Sequence, residues 1–191
     1  MAARVVIAED EAIIRLDLQE TLEEEGYEVV GSTGRGDEAV AMVRDLKPDL
    51  AILDIKMPGM DGISAAKEIA GARWAAVLIL TAFSQRDLVE QARDAGAIGY
   101  LVKPFQKSDL VPAIEVAIGR FSELRALEQE VHSLEEQLTT RRIVERARGL
   151  LMDKHNLSEN EAFTFIQQSA MRQRAKMRAV AEQVLDGTLT P

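Results

Sequence analysis

The chain contains no cysteine, which excludes disulfides and thiolate-bound metals and leaves the redox compartment unspecified. No apolar run approaches the roughly 20 residues needed to span a bilayer. Met1-Ala2-Ala3-Arg4 leads straight into an apolar run with no signal-peptide pattern, so a cytoplasmic location is the default expectation. Aromatics are scarce at 4%. In the last third of the chain only Phe163 and Phe165 are aromatic; no stacking platform is evident, and Phe163 reads as core. Between Ser122 and Thr139 there is neither Gly nor Pro to interrupt a helix. What is present, 47% hydrophobic and 29% charged residues, suits one sizeable core and a smaller second unit.

The formal net charge of -9 is unevenly spread: -8 over residues 1–121, -4 over 122–139 and +3 over 140–191. The overall acidity argues against nucleic acid for most of the chain. The basic tail is where a polyanion would bind.

The chain is organised around Leu50-Ala51-Ile52-Leu53-Asp54, an apolar run of the kind that forms a strand buried on both faces. It stops at a carboxylate and is followed by Met57-Pro58-Gly59 and Asp61-Gly62. Three other runs end in polar groups: Val5-Val6-Ile7-Ala8 before Glu9-Asp10-Glu11, Ala76 to Leu80 before Thr81, and Ile98 to Val102 before Lys103-Pro104. In a parallel sheet these ends share one edge, where open α/β sheets hold their ligands. Each residue alone is a solvated strand end; together they make a pocket. Glu9, Asp10 and Asp54 gather oxygen ligands with no His or Cys nearby, a set suited to Mg²⁺. A carboxylate held against that ion can take a phosphoryl group as an aspartyl phosphate, with Lys103 and Thr81 contacting the phosphoryl oxygens.

Amphipathic helical patterns separate the strand runs, at residues 11–25, 36–46, 62–70, 85–95 and 108–119, with a short second strand at Val29-Val30-Gly31. Gly26, Gly34, Gly71 and Gly96 punctuate the joins as helix caps or turns. Five strands alternating with five helices predict a doubly wound, flavodoxin-like α/β fold on a five-stranded parallel sheet. The fifth helix then continues. Leu124, Leu127, Val131, Leu134 and Leu138 form a two-heptad seam, either a parallel coiled coil between two copies or a stripe packed on the chain's own C-terminal helices. Three short helices follow: residues 141–154, a helix opened by the capping box Ser158-Glu159-Asn160-Glu161 with Leu157 stapling onto Ala162, and residues 177–185. They form a small bundle expected to use the linker to complete its core. The predicted organisation is 1–121, a helical coiled-coil-like linker at 122–139, and a three-helix domain at 140–191.

Residues 4–121 resemble the receiver domain of two-component response regulators. The resemblance implies that Asp54 is the phosphoacceptor, that Glu9 (where the family more often has Asp) and Asp10 hold Mg²⁺ with Asp54 and the backbone carbonyl of Lys56, and that Thr81 and Lys103 stabilise the phosphoryl group. It makes Tyr100 the aromatic switch residue and Lys103–Pro104 a cis bond. It implies a sensor histidine kinase as partner, and no enzyme activity beyond assisting the domain's own phosphorylation and dephosphorylation. In the tail, Arg142, Ala147, Arg148-Gly149-Leu150-Leu151-Met152, Ser158, Ala162-Phe163, Ala170-Met171 and Val180-Ala181 resemble the ANTAR module. The whole is similar to actinobacterial phosphorylation-dependent antitermination regulators, which implies binding of RNA hairpins in nascent transcripts and homodimerisation on phosphorylation. Candidate RNA contacts are Arg141, Arg142, Arg146, Arg148, Arg172, Arg174 and Lys176. A helix-turn-helix that binds DNA, or an output through protein contacts only, are the alternatives. A phosphatase of the haloacid dehalogenase type is disfavoured, because it usually needs a second Asp where Lys56 stands.

Overall fold

A computed structural model of the protein describes residues 2–82 and 86–191. The chain divides into two compact units, residues 1–125 and 126–191. In the first, strands β1 (Arg4–Ala8), β2 (Glu28–Thr33), β3 (Leu50–Asp54), β4 (Ala76–Thr81) and β5 (Gly99–Val102) form one parallel sheet in the order β2-β1-β3-β4-β5. Helices α1 (Ala12–Glu24), α2 (Gly36–Leu46), α3 (Gly62–Gly71) and α4 (Arg86–Asp94) alternate with the strands, and α5 (Lys107–His155) follows β5. The predicted doubly wound sheet is therefore present.

Strand periodicity sorts the side chains onto two faces. Val5, Ile7, Leu50, Ile52, Leu78 and Leu80 face Leu18 and Leu22 of α1 and Leu110 and Ile114 of α5. Val6, Ala8, Ala51, Leu53, Val77 and Ile79 face α2, α3 and α4. Strand β3, paired on both edges and covered on both faces, is buried along its whole length. That is why it reads as an uninterrupted apolar run.

Gly26 and Gly96 leave α1 and α4 with φ of 86° and 89°, the left-handed conformation that favours glycine. Gly71 does not play that part. It is the last residue of α3, and Arg73, with φ of 56°, makes the turn. The Arg73 guanidinium donates to the Ala70 carbonyl at 3.2 Å, tying off the helix end without glycine. Of the helix expected at residues 85–95, Gln85 lies outside the described residues.

In the second unit the seam helix and the helix expected at residues 141–154 are one. With no Gly or Pro at the junction, α5 runs unbroken to His155. Helices α6 (Glu159–Gln173) and α7 (Met177–Leu185) pack against its last turns. Ser158 caps α6 through the full capping box, while Lys176, the residue before α7, supplies no side-chain cap. The core is Ala147, Leu151, Ala162, Ile166, Ala170, Val180, Ala181 and Val184, flanked by Ile143 and Val144. It closes without the linker, contrary to expectation. Leu127, Val131, Leu134 and Leu138 are all more than half exposed, so the stripe does not pack on the chain's own C-terminal helices. Phe163 is also not core. It is 39% exposed, and Phe165 is the aromatic that packs against the bundle. Among the described residues no helix is long and apolar enough to cross a membrane.

Candidate functional site

Parallel registration brings the ends of β1, β3, β4 and β5 to one edge of the sheet. Glu9 follows β1 and is almost wholly buried; Asp54 closes β3 and Thr81 closes β4, both buried. The Glu9, Asp10 and Asp54 carboxylates each place an oxygen within 4.8 Å of the others. Lys103, just beyond β5, reaches in from the far side. Its Nζ lies 3.1 Å from Asp54 Oδ2 and donates a hydrogen bond to Glu9 Oε2. The Lys103–Pro104 peptide bond is cis, and the Lys103 amide donates to the Thr81 carbonyl at 2.7 Å. That hydrogen bond ties the end of β5, which delivers the ammonium, to the end of β4.

Burial pushes the Glu9 carboxyl above its ordinary range, and the opposing pull of the Lys103 ammonium does not cancel that effect. Burial alone would lower the Lys103 pKa. The hydrogen bond to Glu9 and the charge of Asp54 outweigh it and raise the value. The ammonium therefore stays charged between two carboxylates. Carboxylate clustering of this kind is costly unless a cation neutralises it, and Lys103 does so in part. The donor set is all oxygen, which fits a hard divalent cation and not a thiolate or imidazole metal.

Asp54 is oriented through Oδ1, which accepts from the Ile55 amide at 2.7 Å. The loop beyond it folds back, with the Gly62 amide donating to the Ile55 carbonyl at 2.9 Å. A cleft of about 660 Å³ opens beside the acids, with Asp10, Lys56, Met57 and Pro58 among its lining residues. Tyr100 is half-buried and shares a hydrogen bond with Thr81, so its ring already sits against the residue to which the switch reading couples it. Arg15 was not legible as part of this region. One turn into α1, it donates from Nη1 to the Glu9 carbonyl, bracing the end of β1. Nothing distinguishes it in sequence from a solvated helix arginine.

The tail arginines separate into two kinds. Arg148, 21% exposed at its side chain, is held by Glu159 at 2.6 Å and Glu145 at 3.2 Å, an internal tie that compensates its charge. Arg141, Arg142 and Arg146 are exposed and make no ion pair among the described residues. Arg172 lies in the last turn of α6, Arg174 caps that helix in the left-handed conformation, and Lys176 precedes α7. All three are exposed.

Residues 5–115 match the response regulator receiver domain, and residues 132–185 match the ANTAR domain. The chain belongs to the response regulators that join a receiver to an ANTAR domain. It is 61% identical over 188 residues to the transcriptional regulatory protein PdtaR of Mycobacterium tuberculosis, covering 98% of this chain and 92% of that one. Through the receiver alone it is 42% identical to the chemotaxis protein CheY of Thermotoga maritima, over 60% of this chain and 96% of that protein. Among solved structures, a CheY-like response regulator receiver domain protein from Methanospirillum hungatei superposes with a TM-score of 0.60 at 26% identity, over 64% of this chain and 98% of that one.

Proposed function

We propose that the protein is a phosphorylation-controlled regulator that binds RNA hairpins in nascent transcripts and prevents transcription termination. Asp54 is the phosphoacceptor. A carboxylate oxygen of Asp54 attacks the phosphorus of the donor, a phosphohistidine of a sensor kinase. The phosphorus–nitrogen bond breaks, and the departing imidazole takes up a proton. The Lys103 ammonium, already within contact of Asp54, pairs with an equatorial phosphoryl oxygen, and the Thr81 hydroxyl donates to another. Glu9, Asp10, Asp54 and the Lys56 carbonyl would hold Mg²⁺, which supplies neutralisation of the charge that accumulates in this pocket. The new dianion adds about -1.5 to -2 charges. It draws Thr81 toward itself and with it Tyr100, which is bonded to Thr81. The domain assists only this transfer and its reversal by water.

The observation that carries the reading is the ammonium of Lys103 lying 3.1 Å from Asp54 Oδ2 and bonded to Glu9, beside a triad of carboxylate oxygens. No solvated strand end would bury such a group. The output rests on the ANTAR match and on the unpaired basic residues of the tail. The domain organisation that fits is a receiver at 1–121, a helical linker at 122–139 and an RNA-binding domain at 140–191, in a cytoplasmic protein. The exposed seam makes a homodimer, favoured by phosphorylation. Incubation with a small acyl phosphate and Mg²⁺ is expected to label the wild-type chain and not Asp54→Asn, and a chelator abolishes labelling. Phosphate incorporation undiminished in Asp54→Asn would disprove the assignment. Crosslinking to cellular RNA should enrich hairpins ahead of terminators, more strongly in the phosphorylated state. Recovery of DNA in place of RNA would move the output to a DNA-binding one.

A further inference from the structure

Helices α5, α6 and α7 enclose a cleft of about 420 Å³ on the surface of the second unit. Phe163, Val144 and Met177 form its apolar side, and Gln137, Thr140 and Arg141 line its polar side. The Phe163 ring is not needed by the core, which is closed by Ala162, Ile166 and Phe165 from the same helix. An exposed phenylalanine in a recess, beside Arg141, which no carboxylate engages among the described residues, calls for a ligand with a flat apolar face and negative charge at its edge.

We propose that this cleft takes one unpaired nucleobase of an RNA hairpin loop, stacked on the Phe163 ring, while Arg141 contacts a flanking phosphate. The inference rests on the RNA-binding reading above and deepens it. The size fits: the cleft lies toward the lower end of ligand-sized recesses and is too confined for a duplex. The chemistry fits as well. Single-stranded loops are read by stacking splayed bases on aromatic rings and bonding their edges, and Gln137 and Thr140 each offer both a donor and an acceptor. Two acids line the cleft, Glu136 and Glu145; the second is 3.2 Å from Arg148, which also lines it, so the acids do not outnumber the arginines there. Arg141, which makes no ion pair among the described residues, is left to meet a phosphate. A partner helix is the poorer fit, since helix recognition needs an extended groove with anchors every three or four residues, and this is a single recess.

The test uses the full-length chain, with and without phosphodonor, and a pool of RNA hairpins with a constant stem and randomised loops. The tightest hairpin is then remade with each loop base in turn replaced by an abasic nucleotide. Phe163→Ala is expected to weaken binding of the intact hairpin about 5- to 100-fold. One abasic hairpin should lose the same factor on the wild type and lose little more on Phe163→Ala, the signature of a shared contact. Phe163→Trp keeps the ring, should retain affinity, and should show quenching of its own emission by RNA, so the idea stays testable even where the alanine variant folds poorly. Wild-type affinity in Phe163→Ala, or additive losses with every abasic hairpin, would overturn the cleft assignment while leaving RNA binding intact. Absence of any hairpin binding by the wild type in both states would overturn both. Phe163-dependent capture of a protein without RNA would give the cleft to a protein partner and overturn the base-binding proposal.

Discussion

A Cβ placed on Gly62 would lie 1.9 Å from the main-chain oxygen of Asp54, far inside van der Waals contact. Glycine is required there by the close return of the loop onto the strand end, not by its backbone angles. Gly62→Ala should therefore cost about 1–3 kcal/mol, typical of overpacking, read as a lower denaturant midpoint. It should also slow phosphate incorporation, because the clash falls on the residue that would accept the group; a variant that labels as fast as wild type would remove the loop from any role in placing Asp54. The neighbouring Asp61 allows a prediction in pH. Burial would raise its carboxyl pKa, but the Ser64 amide at 2.8 Å and the Ser64 hydroxyl at 2.7 Å outweigh it and hold the value below the ordinary 3.8. A depressed acid contributes stability above its ordinary pKa and loses it as the pH falls through the folded value. Asp61→Ala should thus cost about 1 kcal/mol at neutral pH, as loss of an N-cap does. That difference should fade as the pH drops below the carboxylate range, measured by paired denaturant titrations. These residues also show what the sequence could convey. Glu9, Asp54, Thr81 and Lys103 were legible because each ends an apolar run, and parallel strands put such ends together. Arg15 was not, because its contact is to a main-chain carbonyl, which leaves no pattern in sequence.

At the scale of elements, α5 carries the least conventional surface. Its seam repeats at three and four residues, with Leu124, Val131 and Leu138 in one row and Leu127 and Leu134 in the other, all substantially exposed. A β-branched residue in the first row with leucine in the second favours two parallel strands. The positions flanking the seam are Glu123, Glu128, Glu130 and Glu135, so two parallel copies would set Glu123 against Glu128 and Glu130 against Glu135. In such a dimer the apolar burial of two heptads would be opposed by like charge, which would make pairing along the proposed seam conditional on a further input. Glu128→Lys combined with Glu135→Lys would convert those four facing contacts into opposite-charge pairs in a parallel dimer. It would leave acid facing acid and lysine facing lysine in an antiparallel one. The double variant is expected to dimerise without phosphodonor at low ionic strength, in sedimentation experiments, and to do so less as salt is added. A variant that stays monomeric would exclude the parallel arrangement. The seam itself was legible, from periodicity alone. Its exposure was not, because a stripe of leucines looks the same whether it covers a neighbouring helix or faces solvent. Phe163 failed for the same reason: its spacing suits the α6 core stripe, but it is left exposed while Phe165 and Ile166 pack into the bundle.

For the whole molecule, the proposed function asks how one phosphoryl group on an acidic receiver would alter RNA binding by a basic tail. Overall the chain carries -9, and RNA must be gained against that background by the few unpaired arginines of each copy. On that reading a single tail would bind weakly and with marked salt dependence. Two copies held along the seam would present two such surfaces, and an RNA with two hairpins would engage the second at high effective concentration. Avidity of this kind raises affinity by about 10²–10⁴ without any new contact, provided the spacing permits both to bind. On the proposed function, phosphorylation would then need only to favour the dimer. Placing aspartate at the centre of the seam, Leu127→Asp with Leu134→Asp, separates the two effects, since neither side chain belongs to a core. The variant should accept phosphate at Asp54 as wild type does and bind a single hairpin with unchanged affinity. It should lose the phosphorylation-dependent gain on a two-hairpin RNA, measured by titration of both RNAs with and without phosphodonor. A gain that persists in the seam variant would mean that phosphorylation acts on the affinity of each tail directly. The charge pattern of the linker would then serve solubility and not assembly.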